Sequence, residues 1–249
     1  MTMQKECYNC GETLKGEFCH ACGQKVRKER LSVKYLLTDF FSNVFNAERG
    51  AIPTTLLLLK SPEVVVKDFI RGKTQSYVNP FKYVFFLATL SAIAASFIDF
   101  EALKPSQMFN TPSNPESEEM GKNIIDILRQ YFTAIQLLIV PLYAWVSYRV
   151  YKKEGYNYAE HVAMVCYLSG FMTLISTIGM LPFTISVDLM PYYNTFNLLF
   201  NIYFVFAYYR IGSKKGLLGI LKAVWFVVLF YLLLVLFFAS LGFIWVLVK

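Results

Sequence analysis

Residues 61–80 read SPEVVVKDFIRGKTQSYVNP, and two start signals in this stretch set the architecture of the chain. Ser61 can cap a helix, Pro62 suits its first position, and Gly72 suits the left-handed residue that closes it. Asn79-Pro80 then repeats the start signal at the head of the first long apolar run. To the left lies a small hydrophilic head that carries cysteines. To the right, nearly every segment is apolar enough to live in lipid. The stretch therefore joins a soluble head to a membrane body.

Composition supports that division. Hydrophobic residues make up 56% of the 249 and charged residues only 16%, with 23 Phe and 17 Tyr. The mean hydropathy is +0.44. A soluble all-helical protein would need polar surface that residues 131–249 do not have. Two Cys-x-x-Cys-Gly knuckles, at Cys7–Gly11 and Cys19–Gly23, give the head the pattern of a metal-binding ribbon, so the expected fold class is an all-α polytopic membrane protein with a minimal N-terminal zinc ribbon. Its expected domains are the ribbon at 1–26, a basic linker with amphipathic interfacial helices at 27–79, and a transmembrane domain at 80–249.

Rightward from the junction, five spans are expected, at about 80–98, 131–151, 162–187, 196–209 and 223–248. Residues 99–123, with Pro105, Pro112, Pro115 and acids at 116, 118 and 119, are expected to be an acidic external loop. Pro141 should bend the second span, and Gly170, Gly179 and Pro182 should break the third. Leftward, Val33, Leu36, Leu37, Phe40, Phe41, Val44 and Phe45 recur at three- and four-residue steps, the stripe of an amphipathic helix lying at the interface.

Charge orients the spans. Lys and Arg are dense before the first span and recur at Arg149, Lys152 and Lys153, and again at Arg210, Lys214, Lys215 and Lys222. The third-to-fourth connection has none, and the 99–130 segment is dominated by acids. That alternation predicts a cytosolic N-terminus and an external C-terminus. The first residues, MTMQKEC, lack the apolar run that export requires, which also keeps the head in the cytosol. The net charge of +7 follows this bias, and no nucleic-acid partner is expected.

The head contains Cys7-Tyr-Asn-Cys10-Gly11 and Cys19-His-Ala-Cys22-Gly23. In such a knuckle two thiolates reach one ion, and the following glycine permits the tight turn around it. Cys7, Cys10, Cys19 and Cys22 are the candidate metal ligands, forming a closed and therefore structural Zn2+ site. Iron fits the same ligands by geometry. Disulfides would need an oxidising compartment, and a thioredoxin-like pair would need an α/β domain that about twenty-five residues cannot supply. His20, inside the second knuckle, is expected to be an exposed bystander.

The ordered set Cys-x-x-Cys-Gly, Phe18-Cys-x-x-Cys-Gly-Gln24, the amphipathic stretch, Ser61-Pro62 and Gly72-Lys-x-x-x-Tyr77-x-Asn79-Pro80-Phe81 resembles domain-of-unknown-function family 3667. These are bacterial membrane proteins with an N-terminal zinc ribbon. The resemblance covers about residues 5–95 and departs at Ser61-Pro62-Glu63, where Pro-Gly is common in the family. It implies an inner-membrane protein and supplies no activity. More loosely, residues 131–249 are similar to the Yip1-type membrane fold, with a Gly/Pro-broken third span and a Gly212-Ser-Lys-Lys-Gly216 link.

Motifs for catalysis are missing from the sequence: it has no phosphate loop, metalloprotease helix or nucleophile elbow. Glu160, His161 and Asp188 fall at span ends and are expected to cap or anchor, and Cys166 to act as a small buried hydrophobe. The expected function is a non-enzymatic integral membrane protein whose zinc ribbon docks a cytosolic or membrane protein partner. The alternative is a small-solute or lipid transporter. Its path would run near Gly179–Pro182, with polar lining from Gln136, Asn194, Asn197 and Asn201. Those same residues serve equally as interhelical hydrogen-bonding groups.

Overall fold

The computed structural model describes residues 6–27, 29–42, 50–98, 114–185 and 190–248. Among these, the regular elements are all helical: α1 (Val33–Ser42), α2 (Ala51–Lys60), α3 (Pro62–Arg71), α4 (Pro80–Ala95), α5 (Pro115–Val150), α6 (Tyr158–Met180), α7 (Met190–Ile211) and α8 (Gly216–Val248). Short 3-10 turns follow α5 at Lys152–Glu154 and α6 at Leu181–Thr184.

The start and stop signals of residues 61–80 work much as their chemistry requires. Gly72 closes α3 at φ 112, in the left-handed region. Asn79 caps α4 by accepting hydrogen bonds from the Phe81 and Lys82 amides, with Pro80 at the first helical position. Ser61 occupies the cap position of α3, yet its side chain makes no capping bond. Its backbone carbonyl instead accepts from Val64 N at 3.0 Å.

α6 is the axis of the bundle. With its 3-10 extension it spans Tyr158–Thr184, and 67% of the apolar 18-residue stretch within it is buried, against 28% for Thr133–Val150 of α5 and 22% for Gly216–Leu233 of α8. These three segments are long and apolar enough to cross a membrane. α4 is apolar but has 16 residues, about 24 Å at the helical rise, against a hydrocarbon core of about 30 Å. α7 has length enough, but Asn and Tyr interrupt its apolar run. α4 packs more extensively on α6 than any other helix does. Gly170 permits that approach, because a Cβ there would meet the Tyr83 ring at 2.8 Å and the Val84 Cα at 3.1 Å. Aromatic stacking of Tyr143 with Phe204, Phe226 and Phe230 joins α5, α7 and α8.

Several boundaries differ from the expectation. α5 begins at Pro115, so residues 115–123 are helical and do not belong to the loop; residues 99–113 lie outside the described set. Pro115 and the acids behind it read as loop by composition, but proline at a helix start and acids in the first turns also suit a helix N-terminus. Gly170 and Gly179 do not break α6, which is helical to Met180. Only Pro182 coincides with a change, the 3-10 turn. Gly170 is a contact glycine, spared its helix cost by close packing. α1 ends at Ser42, and the expected Val44 and Phe45 of its stripe lie outside the described residues.

Three ion pairs gather at one end of the bundle. Arg30 donates to both Glu160 oxygens at 2.7 and 2.5 Å and to the Gly155 carbonyl at 2.6 Å. Arg210 donates twice to Glu63 Oε1, at 3.1 and 2.5 Å. Lys222 meets Glu154 Oε1 at 2.9 Å, while Ser213 N donates to Glu154 Oε2 at 2.8 Å. These contacts tie the segment before α1, the start of α3, the 151–157 connection and the α7–α8 connection together. Tyr203 on α7 adds a hydrogen bond to the Leu58 carbonyl at 2.6 Å, seating α2 on the same end.

Burial raises the Glu154 carboxyl, but the Ser213 and Lys222 hydrogen bonds outweigh it and hold the group below its ordinary value of 4.5. At Glu63 burial is likewise outweighed, here by Arg210. A depressed carboxylate contributes stability that is complete above the unfolded value and is lost as pH falls through the folded one. A Glu63→Gln, Glu154→Gln variant should therefore melt below wild type from pH 7 down to about 4.5, by about 1–3 kcal/mol. The gap should close as pH drops further, in a detergent-solubilised thermal unfolding series.

Candidate metal centre

The two knuckles are near-copies. In the first, Gly11 N donates to the Cys7 carbonyl and Cys7 N to the Glu12 carbonyl, both at 2.8 Å. In the second, Gly23 N donates to Cys19 O at 2.8 Å and Cys19 N to Gln24 O at 2.9 Å. Gly11 and Gly23 sit at φ 78 and 72, a conformation that costs a residue with a Cβ. Each turn folds its two thiols inward, and isolated bridges Glu6↔Thr13 and Phe18↔Lys25 close the two hairpins.

The four sulfurs of Cys7, Cys10, Cys19 and Cys22 lie within 4.8 Å of one another. Cys7 and Cys22 are 3.6 Å apart and Cys10 and Cys19 3.5 Å apart, and all four are free thiols. Four thiolates around one ion with bonds of about 2.3 Å need sulfur separations of about 3.8 Å, so the donor set is close to that arrangement. The four cysteines are near enough to bind a metal ion. Thiol electrostatics agree. Backbone hydrogen bonding at Cys22 pulls the Cys19 thiol down to about 7, against desolvation. At Cys10 the backbone at Glu12 also lowers the thiol, but desolvation and hydrogen bonds with Cys19, Cys22 and Cys7 push it up to about 12. Thiolates this close repel one another, and a divalent cation held among them would supply the compensating positive charge.

The seat of this head was not legible as a contact in the sequence. Gln24, 2% exposed, donates from Nε2 to the Gly72 carbonyl at 2.8 Å. Its Oε1 accepts from the Thr74 and Gln75 amides at 3.1 and 3.2 Å. From the first knuckle, Asn9 Oδ1 accepts from the Ser76 hydroxyl at 2.6 Å. The Tyr8 ring lies over Gly72, where a Cβ would come within 2.8 Å of it. Arg27 donates to the Ile70 carbonyl. Both knuckles therefore grip residues 70–76. Gln24 stands in the motif quoted above, directly after the knuckle glycine, which was the available signal.

The other sequence candidates are dispersed. His20 is exposed and apart from the sulfurs. Glu160 closes a capping box with Asn157 and takes Arg30, whereas His161 Nδ1 pairs with the Ser147 hydroxyl at 2.8 Å, so the two neighbours face different partners. Cys166 is fully buried. Gln136 donates to Thr173 at 2.7 Å, an interhelical bond between α5 and α6. Asp188 and the side chains of Asn194 and Asn197 lie outside the described residues, and Asn201 is half-buried.

Residues 48–92 match the model of the family described as protein of unknown function (DUF3667), the family that the ordered motifs resemble. No curated protein and no solved structure matches the chain, so the Yip1-type likeness gains no support. The matched segment contains the loop on which the head sits.

If the four sulfurs act as one centre, the purified chain should carry one equivalent of metal. Single Cys→Ser variants at 7, 10, 19 or 22 should lose it, read by elemental analysis and thiol titration. Such variants should still insert into the membrane, since the contacts between α4, α5, α6, α7 and α8 do not run through the head; a failure to insert would contradict that modularity.

Proposed function

We propose that this chain, a member of the DUF3667 family by its residues 48–92, is a multi-pass protein of the bacterial inner (cytoplasmic) membrane. Its Cys7, Cys10, Cys19 and Cys22 hold a structural zinc ion in the cytosol. α4, α5, α6, α7 and α8 would each cross the bilayer, N-terminus inside and C-terminus outside. The observation that carries this reading is the meeting of the head, the Lys152–Lys153 turn and the Lys214–Lys215 turn at one end of the bundle. Their cations would sit together on the side where the positive-inside rule expects them. α1 and α2 fit a membrane-surface role at that end. Phe41 is 73% and Ile52 74% exposed, and Phe40 packs on Phe81 and Phe85 of α4.

The function supported best is non-enzymatic, with the head presenting a docking or assembly surface to a cytosolic or membrane protein partner. Tyr8, Asn9 and Gln24 are engaged by the loop. On the second hairpin, Phe18 is 58% exposed beside exposed Lys15 and His20. An exposed aromatic on a metal-stiffened hairpin is a favourable contact group for a partner. Transport of a small solute or lipid is the rival, with a path near Gly179–Pro182, where the α-helix ends at Met180 and a 3-10 turn follows at Leu181–Thr184.

Crosslinking and co-purification from native membranes test the docking role, with wild type compared against Cys19→Ser, Cys22→Ser and against Phe18→Ala. A partner lost in both, with metal retained by Phe18→Ala, supports docking. An unchanged partner set in a demonstrably metal-free variant would restrict the head to a structural role and move attention to flux.

A further inference from the structure

We propose that the metal centre acts as a latch on the Gly72–Asn79 loop: occupied, it holds the loop against the bundle, and emptied, it releases the loop and loosens the junction between α4 and α6. This rests on the metal reading above and goes beyond it, by giving the centre a control role toward the membrane helices.

Three observations carry it. First, the loop has two handles, one on each knuckle: Asn9 and Tyr8 on the first, Gln24 on the second. The backbone hydrogen bonds of the head run within a knuckle, Cys7 to Glu12 in one and Glu17 to Val26 in the other. The knuckles meet at their sulfurs. A thiophilic divalent cation such as zinc is therefore what fixes both handles at the spacing the loop requires. Without it, four close thiols lose their common counter-charge and each hairpin is free of the other.

Second, Gln24 is an inserted key and not a surface contact. It is 2% exposed and satisfies three loop backbone groups: the Gly72 carbonyl and the Thr74 and Gln75 amides. Its own carbonyl accepts from Cys19 N, so its position is set by a ligand residue. Withdrawing the key leaves the Gly72 carbonyl and the Thr74 amide with only their own 3.0 Å bond and takes the Gln24 acceptor from the Gln75 amide, so the turn loosens and opens further to water.

Third, the loop leads straight into the bundle. Val78 O accepts from the buried Tyr167 hydroxyl of α6 at 2.6 Å, and Val78 N donates to Thr54 of α2 at 3.4 Å. Tyr77 donates to Asp68 of α3 at 3.0 Å. Asn79 caps α4 while donating to Asp39 of α1 at 2.7 Å. Tyr167 in turn contacts the Phe69 ring at 5.5 Å and the Tyr83 ring at 6.0 Å. A displacement of the loop therefore reaches α1, α2, α3, α4 and α6 within one shell of contacts.

Hydrogen exchange of the full chain in lipid nanodiscs tests the latch. Three samples are compared: zinc-loaded wild type, wild type stripped by a chelator, and zinc-loaded Gln24→Ala, with bound zinc measured in each. The latch predicts faster exchange at Gln75, by about tenfold or more, and a lesser rise at Thr74, whose amide keeps the Gly72 carbonyl, in both the stripped protein and Gln24→Ala. A smaller rise should follow at Phe81 and Lys82, while mid-α6 amides stay slow. Unchanged exchange at 74–75 in zinc-loaded Gln24→Ala would remove Gln24 as the key and overturn the proposal. Unchanged exchange on stripping would overturn it equally, because the loop would then hold without the metal. A wild type that binds no zinc would fail the metal reading itself, and the latch with it, and the zinc measurement alone identifies that case.

Discussion

The backbone between Gly72 and Asn79 changes direction where the chain passes from aqueous head to apolar helix, and its polar groups must be satisfied there. The end of α3 serves the first amides, with Gly72 N and Lys73 N donating to the Asp68 carbonyl. Further partners are side chains delivered by remote parts of the sequence: Gln24 from the head, Thr54 from α2 and Tyr167 from α6. A buried amide or carbonyl left unpaired costs about 1–3 kcal/mol, so each of these contacts helps hold the loop in place. That requirement explains why a head of so few residues is seated on the bundle and not merely tethered to it. It also explains Gly72, where the left-handed turn and the overlying Tyr8 ring both exclude a side chain.

The same end of the molecule concentrates its ion pairs. Glu160, 3% exposed as a side chain, is matched by Arg30, and Glu154, 6% exposed, by Lys222. Buried carboxylates without such partners would be neutral or would not be tolerated. Their acid members cluster at one end together with cationic turns, while the flanks of α4, α5 and α8 expose large apolar side chains such as Phe86, Leu138 and Leu232. An apolar belt below a charged rim is the pattern that a bilayer imposes on a helical bundle.

Much of this architecture was legible in the sequence because its signals are local. Knuckle spacing brought Cys7, Cys10, Cys19 and Cys22 together, proline and asparagine marked the start of α4, and long apolar runs marked the span candidates. Contacts between distant segments were not legible. Nothing local in Gln24, Arg30 or Tyr167 announces a partner 48, 130 or 89 residues away. Glycine was ambiguous for a related reason: Gly72 ends a helix, whereas Gly170 lies in the middle of one and is explained only by the Tyr83 ring across it. Acid-rich residues behind Pro115 suggested loop by composition, yet the same residues suit the first turns of α5. Composition does not distinguish these outcomes, and tertiary packing does.

Intrachain photocrosslinking in native membranes tests the central claim, that the head is seated on the segment matching the DUF3667 model, residues 48–92. Tyr8 is replaced by p-benzoylphenylalanine, which keeps an aromatic ring at that position, and the crosslinked peptides are identified by mass spectrometry. A seated head gives a dominant product joining position 8 to the peptide around Gly72, and chelation diminishes it. Crosslinks to other proteins alone, or a Gly72 product that is indifferent to metal, would contradict the account.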